Sequence, residues 1–200
     1  MLIDVLSSKI MGYIESFINS KGNSKYYYVY KYGVEITLSS ILNILIILTI
    51  SFVFQSFFLG FLFLFVIIPT RQFTGGFHAN SYLKCNIIFG LSYLIVLLFS
   101  LYAYNFINYF ISFTILTVMS LLILRFCPIK NSNKQIESKK QFMRNKLIGF
   151  SLFILFEACC VIFYNLQLLV CCCMIMFTLY IIFILCLIGF IKEEVTIYEK

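Results

Sequence analysis

Six long apolar runs, parted only by short polar stretches, limit what this chain can become more than any other feature. They cover residues 34–54, 57–70, 86–104, 107–126, 147–164 and 166–191. A helix needs about 20 mainly apolar residues to cross a bilayer, and all but the second run meet that requirement. Hydrophobic residues make up 62% of the chain and charged ones 12%, against about 45–50% and about 25% in soluble domains. A 200-residue protein could not hide that much apolar surface from water, so lipid must be part of its solvent. A soluble domain, a disordered chain and a secreted disulfide scaffold are excluded. The expected fold is all-α and integral to the membrane, one domain over residues 1–200.

The second run, 57–70, has only 14 residues. At 1.5 Å per residue it reaches ~21 Å, short of the ~30 Å hydrocarbon core, and topology has to decide whether it crosses. If it does, all 15 Lys and Arg residues fall on one side: Lys9 to Lys31, then Arg71 and Lys84, then the seven between Arg125 and Lys146, then Lys192 and Lys200. The turns near Gln55-Ser56, Asn105 and Asn165 on the other side contain none. The positive-inside rule therefore favours six spans with both termini cytoplasmic. Basic residues placed this way serve topology, and no nucleic-acid partner is expected.

Residues 2–18 space Leu2, Val5, Leu6, Ile10, Met11, Tyr13, Ile14, Phe17 and Ile18 at a helical period, with Asp4, Ser7, Ser8, Lys9 and Ser16 between. An amphipathic helix lying on the membrane surface is expected there. No compact apolar stretch with a cleavage site precedes it, so no cleaved leader is expected. Six of the eight cysteines lie inside the last two runs, where a thiol behaves as a small apolar group. One His and no paired CxxC spacing argue against a metal site, and no cofactor is expected. Glu157, near the middle of the fifth run, should face the interior and be paired or protonated. Glu35 opens the first run at the interface.

Residues 71–85, RQFTGGFHANSYLKC, break the pattern. They hold the only His, adjacent Gly75 and Gly76, Arg71 at the head and Cys85 at the end. A thiolate is a nucleophile and a His can take the thiol proton, so His78 and Cys85 form a candidate dyad. Lys84 could add positive potential beside Cys85 if it turned inward, and the planar fork of Arg71 suits a carboxylate or backbone carbonyl. On one continuous helix the dyad would be ~10.5 Å apart along the axis, too far for proton transfer at about 3 Å. The chain must therefore bend between them, and Gly75-Gly76 and Ala79-Asn80-Ser81 supply residues that permit it. The expected site is a pocket at the cytoplasmic edge, because irregular backbone at membrane depth must be buried in protein or face water.

The segment resembles the accessory gene regulator B (AgrB) family, which processes quorum-sensing peptide precursors in Gram-positive bacteria. The resemblance rests on Arg71, Gly75-Gly76-Phe77-His78-Ala79 and Cys85 at the start of a span. It extends to Cys127-Pro128-Ile129 followed by Asn133-Lys134-Gln135-Ile136 in a basic loop over 127–146. Gln135 stands where the family often has Pro, a departure that touches the loop and not the dyad. What the resemblance implies is a membrane cysteine endopeptidase with Cys85 as nucleophile and His78 as base. Arg71, Gly75 and Gly76 match positions needed for architecture or substrate binding. The implied substrate is an AgrD-like precursor with an acidic tail, which Lys130 and Lys134 in the basic loop could help to bind. A topology determinant touching lipid headgroups is an equal reading of that loop. A homodimer is compatible with the resemblance. The competing readings are a peptide-transport subunit and a membrane scaffold, neither of which needs Cys85.

Overall fold

Without water to satisfy its amides, a chain crossing lipid must pair every backbone group within its own segment, and apolar runs of this length do so as helices. The computed structural model describes residues 6–13, 27–75, 81–128 and 139–198. Residues 6–13 are helical (α1). Six longer helices follow: α2 Tyr27–Val53, α3 Phe57–Thr74, α4 Tyr82–Tyr102, α5 Tyr109–Phe126, α6 Lys139–Asn165 and α7 Leu169–Tyr198. Each of the six contains a stretch long and apolar enough to span a membrane, and no strand occurs among the described residues.

The second run resolves its own ambiguity. It continues past the apolar stretch through Arg71, Gln72, Phe73 and Thr74 to make an 18-residue helix, about 27 Å long. Pro69 lies inside it and removes one helical hydrogen bond. Around it the hydroxyls of Thr70 and Thr74 donate back to the carbonyls of Val66 and Thr70. The basic segment 127–146 is also shorter as a loop than expected, because α6 already begins at Lys139. Lys, Gln, Met and Arg are good helix formers and carry that helix beyond its apolar part.

Helix α7 forms the centre, packed against α3, α4, α5 and α6, while α2 covers α3 and α4. The core joins Ile47, Phe63, Tyr93, Leu116, Phe153, Met174 and Leu179. Phe63 meets Tyr93 and Phe89 with ring centroids 5.0 and 5.8 Å apart. Cys160, Cys172, Cys173 and Cys186 are buried among these groups as free thiols. Phe58, Phe61, Phe65, Ile95, Phe99 and Phe110 point outward, which in a bilayer is the lipid-facing position.

Two expectations change. Helix α1 docks on the bundle through Ser7 and Met11, both fully buried, while Tyr13 of the expected apolar face is exposed. The buried polar edge exists because the Ser7 hydroxyl donates to a Glu35 carboxylate oxygen at 3.3 Å. Glu157 is only half-buried, at the flank of α6, and not in the interior. There it accepts a hydrogen bond from the exposed Thr117 hydroxyl of α5 at 2.7 Å, which satisfies one carboxyl oxygen locally.

Close helix contact depends on small residues. A Cβ at Gly60 would collide with Ser51 Oγ and lie 3.2 Å from the Tyr93 hydroxyl. Those two side chains are themselves joined at 2.6 Å. Gly60→Val should therefore destabilise the folded protein by about 1–3 kcal/mol through overpacking. Thermal unfolding in detergent would read this as a lower midpoint, and an unchanged midpoint would show that α2, α3 and α4 can separate at no cost.

Candidate functional site

The segment that interrupts the apolar pattern lies between two helix ends. Helix α3 stops at Thr74 and is capped by Gly75 at φ 75, ψ −152. That region of backbone space is essentially open to glycine alone. The Gly75 N–H donates to the Arg71 carbonyl at 3.1 Å, closing the last turn. Its carbonyl accepts from the Cys186 thiol of α7 at 3.7 Å and from the Thr74 hydroxyl at 3.3 Å. Helix α6 presses on the same place, where a Cβ at Gly149 would lie 3.1 Å from Thr74 Cγ2. The end of α3 is thus held by α6 and α7 together.

Helix α4 begins after Ser81, whose backbone is extended at φ −146, ψ 148 and whose hydroxyl accepts from the Lys84 N–H at 3.4 Å. Cys85 follows in the first turn, half-buried, with its N–H donating to the Ser81 carbonyl at 3.1 Å. Both flanks of residues 76–80 are therefore non-helical, and one continuous helix does not join Arg71 to Cys85. The six peptide links from Gly75 to Ser81 limit the two ends to roughly 20 Å of each other.

The structure thus places Arg71 and Gly75 on the end of α3, joined by one hydrogen bond, and Cys85 on the start of α4. Arg71 is half-buried, whereas Lys84 is exposed and does not turn inward. The candidate residues Gly76 and His78, and also Lys130 and Lys134, lie outside the described residues. Among the described residues no group of His, Cys, Asp and Glu side chains is arranged to hold a metal ion.

Sequence reasoning missed the groups that anchor the Cys85 turn. The Tyr82 hydroxyl donates to a Glu35 carboxylate oxygen at 3.0 Å, and the Ser39 hydroxyl donates to Asn86 Oδ1 at 2.7 Å. An Asn directly after Cys85 in an apolar run was a signal that something polar must meet it. Which residue does so, 47 positions away, was not legible.

Thiol chemistry separates Cys85 from Cys127, the other cysteine at this end. Cys127 is 2% exposed. A hydrogen bond with Cys186, and then burial, raise its thiol well above the usual range, so it stays protonated and covered. Iodoacetamide at neutral pH should alkylate Cys85 and leave Cys127 intact, as peptide mass spectrometry would show; labelling of Cys127 at a comparable rate would contradict this packing. At the α3 cap, Gly75→Ala should cost about 1–3 kcal/mol in backbone strain. Gly33→Ala, in a helix with open space around it, should be neutral or stabilising by about 0.5–1 kcal/mol. Thermal midpoints of the two variants moving together would remove the special status of the cap.

Comparison with known families supplies the remaining finding. The chain matches the accessory gene regulator B family over residues 7–191. No curated protein and no solved structure matches it. The match covers almost the whole chain, including the first five candidate spans, all but the last residue of the sixth, the α3 cap and the Cys85 turn. The protein therefore belongs to the AgrB family, multi-pass proteins of the bacterial cell membrane that are protease-like processing enzymes of quorum-sensing propeptides.

Proposed function

We propose that this protein is a cysteine endopeptidase that removes the C-terminal tail of an AgrD-type precursor and closes the remaining peptide into a thiolactone. Cys85 is the nucleophile and His78 its general base. The observation that carries the reading is the break between α3 and α4: Gly75 and Ser81 are both non-helical. The rigid ~10.5 Å separation that a continuous helix would impose on the pair does not apply. Cys85 lies at the N-terminal end of α4, where the helix dipole favours negative charge developing during attack.

In this mechanism the Cys85 thiol gives its proton to His78 and its sulfur attacks the carbonyl carbon before the tail. Collapse of the tetrahedral intermediate breaks the C–N bond, and His78 returns the proton to the departing amine. An acyl-enzyme thioester remains. The precursor's own Cys thiol then attacks that carbonyl, forming the ring thioester and releasing Cys85. One thioester replaces another, so the step is nearly isoenergetic, and ring closure is favoured by the high effective concentration of the internal thiol and by exclusion of water. A precursor with Ser in place of Cys would give a lactone by a less favourable exchange. Arg71, half-buried at the end of α3, is suited to a backbone carbonyl or carboxylate of the precursor. Lys130 and Lys134 add positive charge to the basic segment 127–146, and that charge would attract the acidic tail.

The test is tail release by purified protein in proteoliposomes carrying the AgrD propeptide, followed by mass spectrometry. Cys85→Ala should abolish release, and His78→Ala should slow it by about 100-fold or more, with both variants inserted normally. If Cys85→Ala releases the tail as fast as the wild type, the nucleophile lies elsewhere and a transport or scaffold role replaces the enzyme.

A further inference from the structure

We propose that Glu35 and Ser39 of α2 are positioning residues for Cys85, a clamp that fixes the rotation of α4 and so the direction of its thiol. The proposal rests on the reading of Cys85 as nucleophile. Its basis is a pair of rungs between parallel helices. Glu35 takes the hydroxyl of Tyr82 at 3.0 Å, and Ser39 gives its hydroxyl to Asn86 at 2.7 Å. Both rungs join residues 47 apart in sequence, so each helix advances four residues from one rung to the next.

That spacing matters mechanically. A single hydrogen bond lets a helix swing about the bonded atoms, whereas two bonds one turn apart restrain both its tilt and its rotation. At 100° per residue, Cys85 lies about 60° around the helix from Tyr82 and about 100° from Asn86. The rungs therefore face α2 and leave Cys85 on the adjoining flank. Losing either rung frees the first two turns of α4 to rotate, and a helix rotation of a few tens of degrees moves a side-chain tip by more than catalysis tolerates.

The clamp is costly to open. Ser39 and Asn86 are each 7% exposed, so breaking their bond strands a buried donor and a buried acceptor. Farther along, the α2–α4 contact becomes apolar where Gly90 meets Ile46, before the Ser51–Tyr93 pair at the opposite end. The polar pairs nearest the basic end are thus the two that bracket Cys85. Glu35 has a second task, because its other carboxylate oxygen accepts from Ser7 of α1 at 3.3 Å. One carboxylate thereby ties the docked N-terminal helix to the turn that carries the thiol.

The test uses full-length protein in proteoliposomes with the AgrD propeptide and two independent readouts: kcat and KM for tail release, and the rate of Cys85 labelling by a small maleimide without propeptide. Glu35→Ala, Tyr82→Phe and Ser39→Ala should each lower kcat about tenfold with KM within about twofold. The Glu35→Ala/Tyr82→Phe double variant should be no slower than the worse single one, because both remove the same bond. Glu35→Gln and Ser39→Thr should recover most of the rate, since an amide oxygen still accepts and a hydroxyl still donates. Labelling of Cys85 should change in the same three variants by at least about twofold, and labelling of Cys159 at the far end of α6 should not. Wild-type kcat and labelling in Tyr82→Phe, which removes one oxygen and keeps the ring, would overturn the clamp even if Glu35→Ala failed to fold. Additive losses in the double variant would overturn it equally. A Cys85→Ala protein that still releases the tail would instead overturn the nucleophile, and labelling would then report on the clamp by itself.

Discussion

In the hydrocarbon core a backbone group has no water to fall back on, and the rest of this structure follows from that constraint. It forces the apolar runs into uninterrupted helices and drives every break in the backbone to a helix end. Chemistry that needs an irregular segment is then easiest to place at the two faces of the bundle, where water or surrounding protein can satisfy the freed backbone groups. The segment with the most chemically varied side chains, between Arg71 and Cys85, lies at such an end. Its two boundaries are built differently. Gly75 turns the chain off α3 through a backbone conformation that other residues resist, and Ser81 starts α4 by capping it with its own hydroxyl.

Packing inside the bundle obeys a second consequence of the same solvent. Lipid tails are as apolar as Leu, so apolar contact alone gives little preference for one helix arrangement over another. Orientation falls to small residues and to polar pairs. Gly60 lets α3 approach the Ser51–Tyr93 pair, and Gly149 lets α6 reach Thr74 beside the α3 cap. Interhelical hydrogen bonds in membranes average only about 0.6 kcal/mol, so no single pair holds the bundle together. Their value is geometric: Ser39–Asn86 and Glu35–Tyr82 together restrain how α4 faces α2, and Thr117–Glu157 ties α5 to α6.

That division explains what could be read from the sequence. Span number follows from composition and charge placement, which depend on each residue's own transfer energy and need no partner. The short second run was ambiguous because hydropathy ends at Thr70, while helical backbone continues to Thr74 under the influence of α6 and α7. The end of α3 at Gly75 and the start of α4 at Ser81 were legible because Gly and Ser act locally. The partners of Tyr82 and Asn86 were not, since their identity is decided by which faces of α2 and α4 meet. Ser7 follows the same rule: it is one of the polar residues between the apolar positions of α1, yet a carboxylate on another helix makes burial the better place for it.

A chain with eight thiols and one proposed nucleophile must keep the others from reacting, and the fold does so by place as well as by burial. Cys160, Cys172, Cys173 and Cys186 lie in the helix core, away from water that could carry off a proton. The half-buried Cys159 and Cys171 belong to the α6–α7 end, opposite the basic residues and the α3 cap. Cys127 shares the end of the bundle with Cys85 but is sealed against Cys186. Cys186 in turn spends its S–H on the Gly75 carbonyl. Cys85 alone combines partial exposure, a helix start and adjacency to the interrupted segment. Of the cysteines of α7, Cys186 therefore supports the candidate site from behind: its thiol meets the carbonyl of Gly75, the residue whose conformation ends α3.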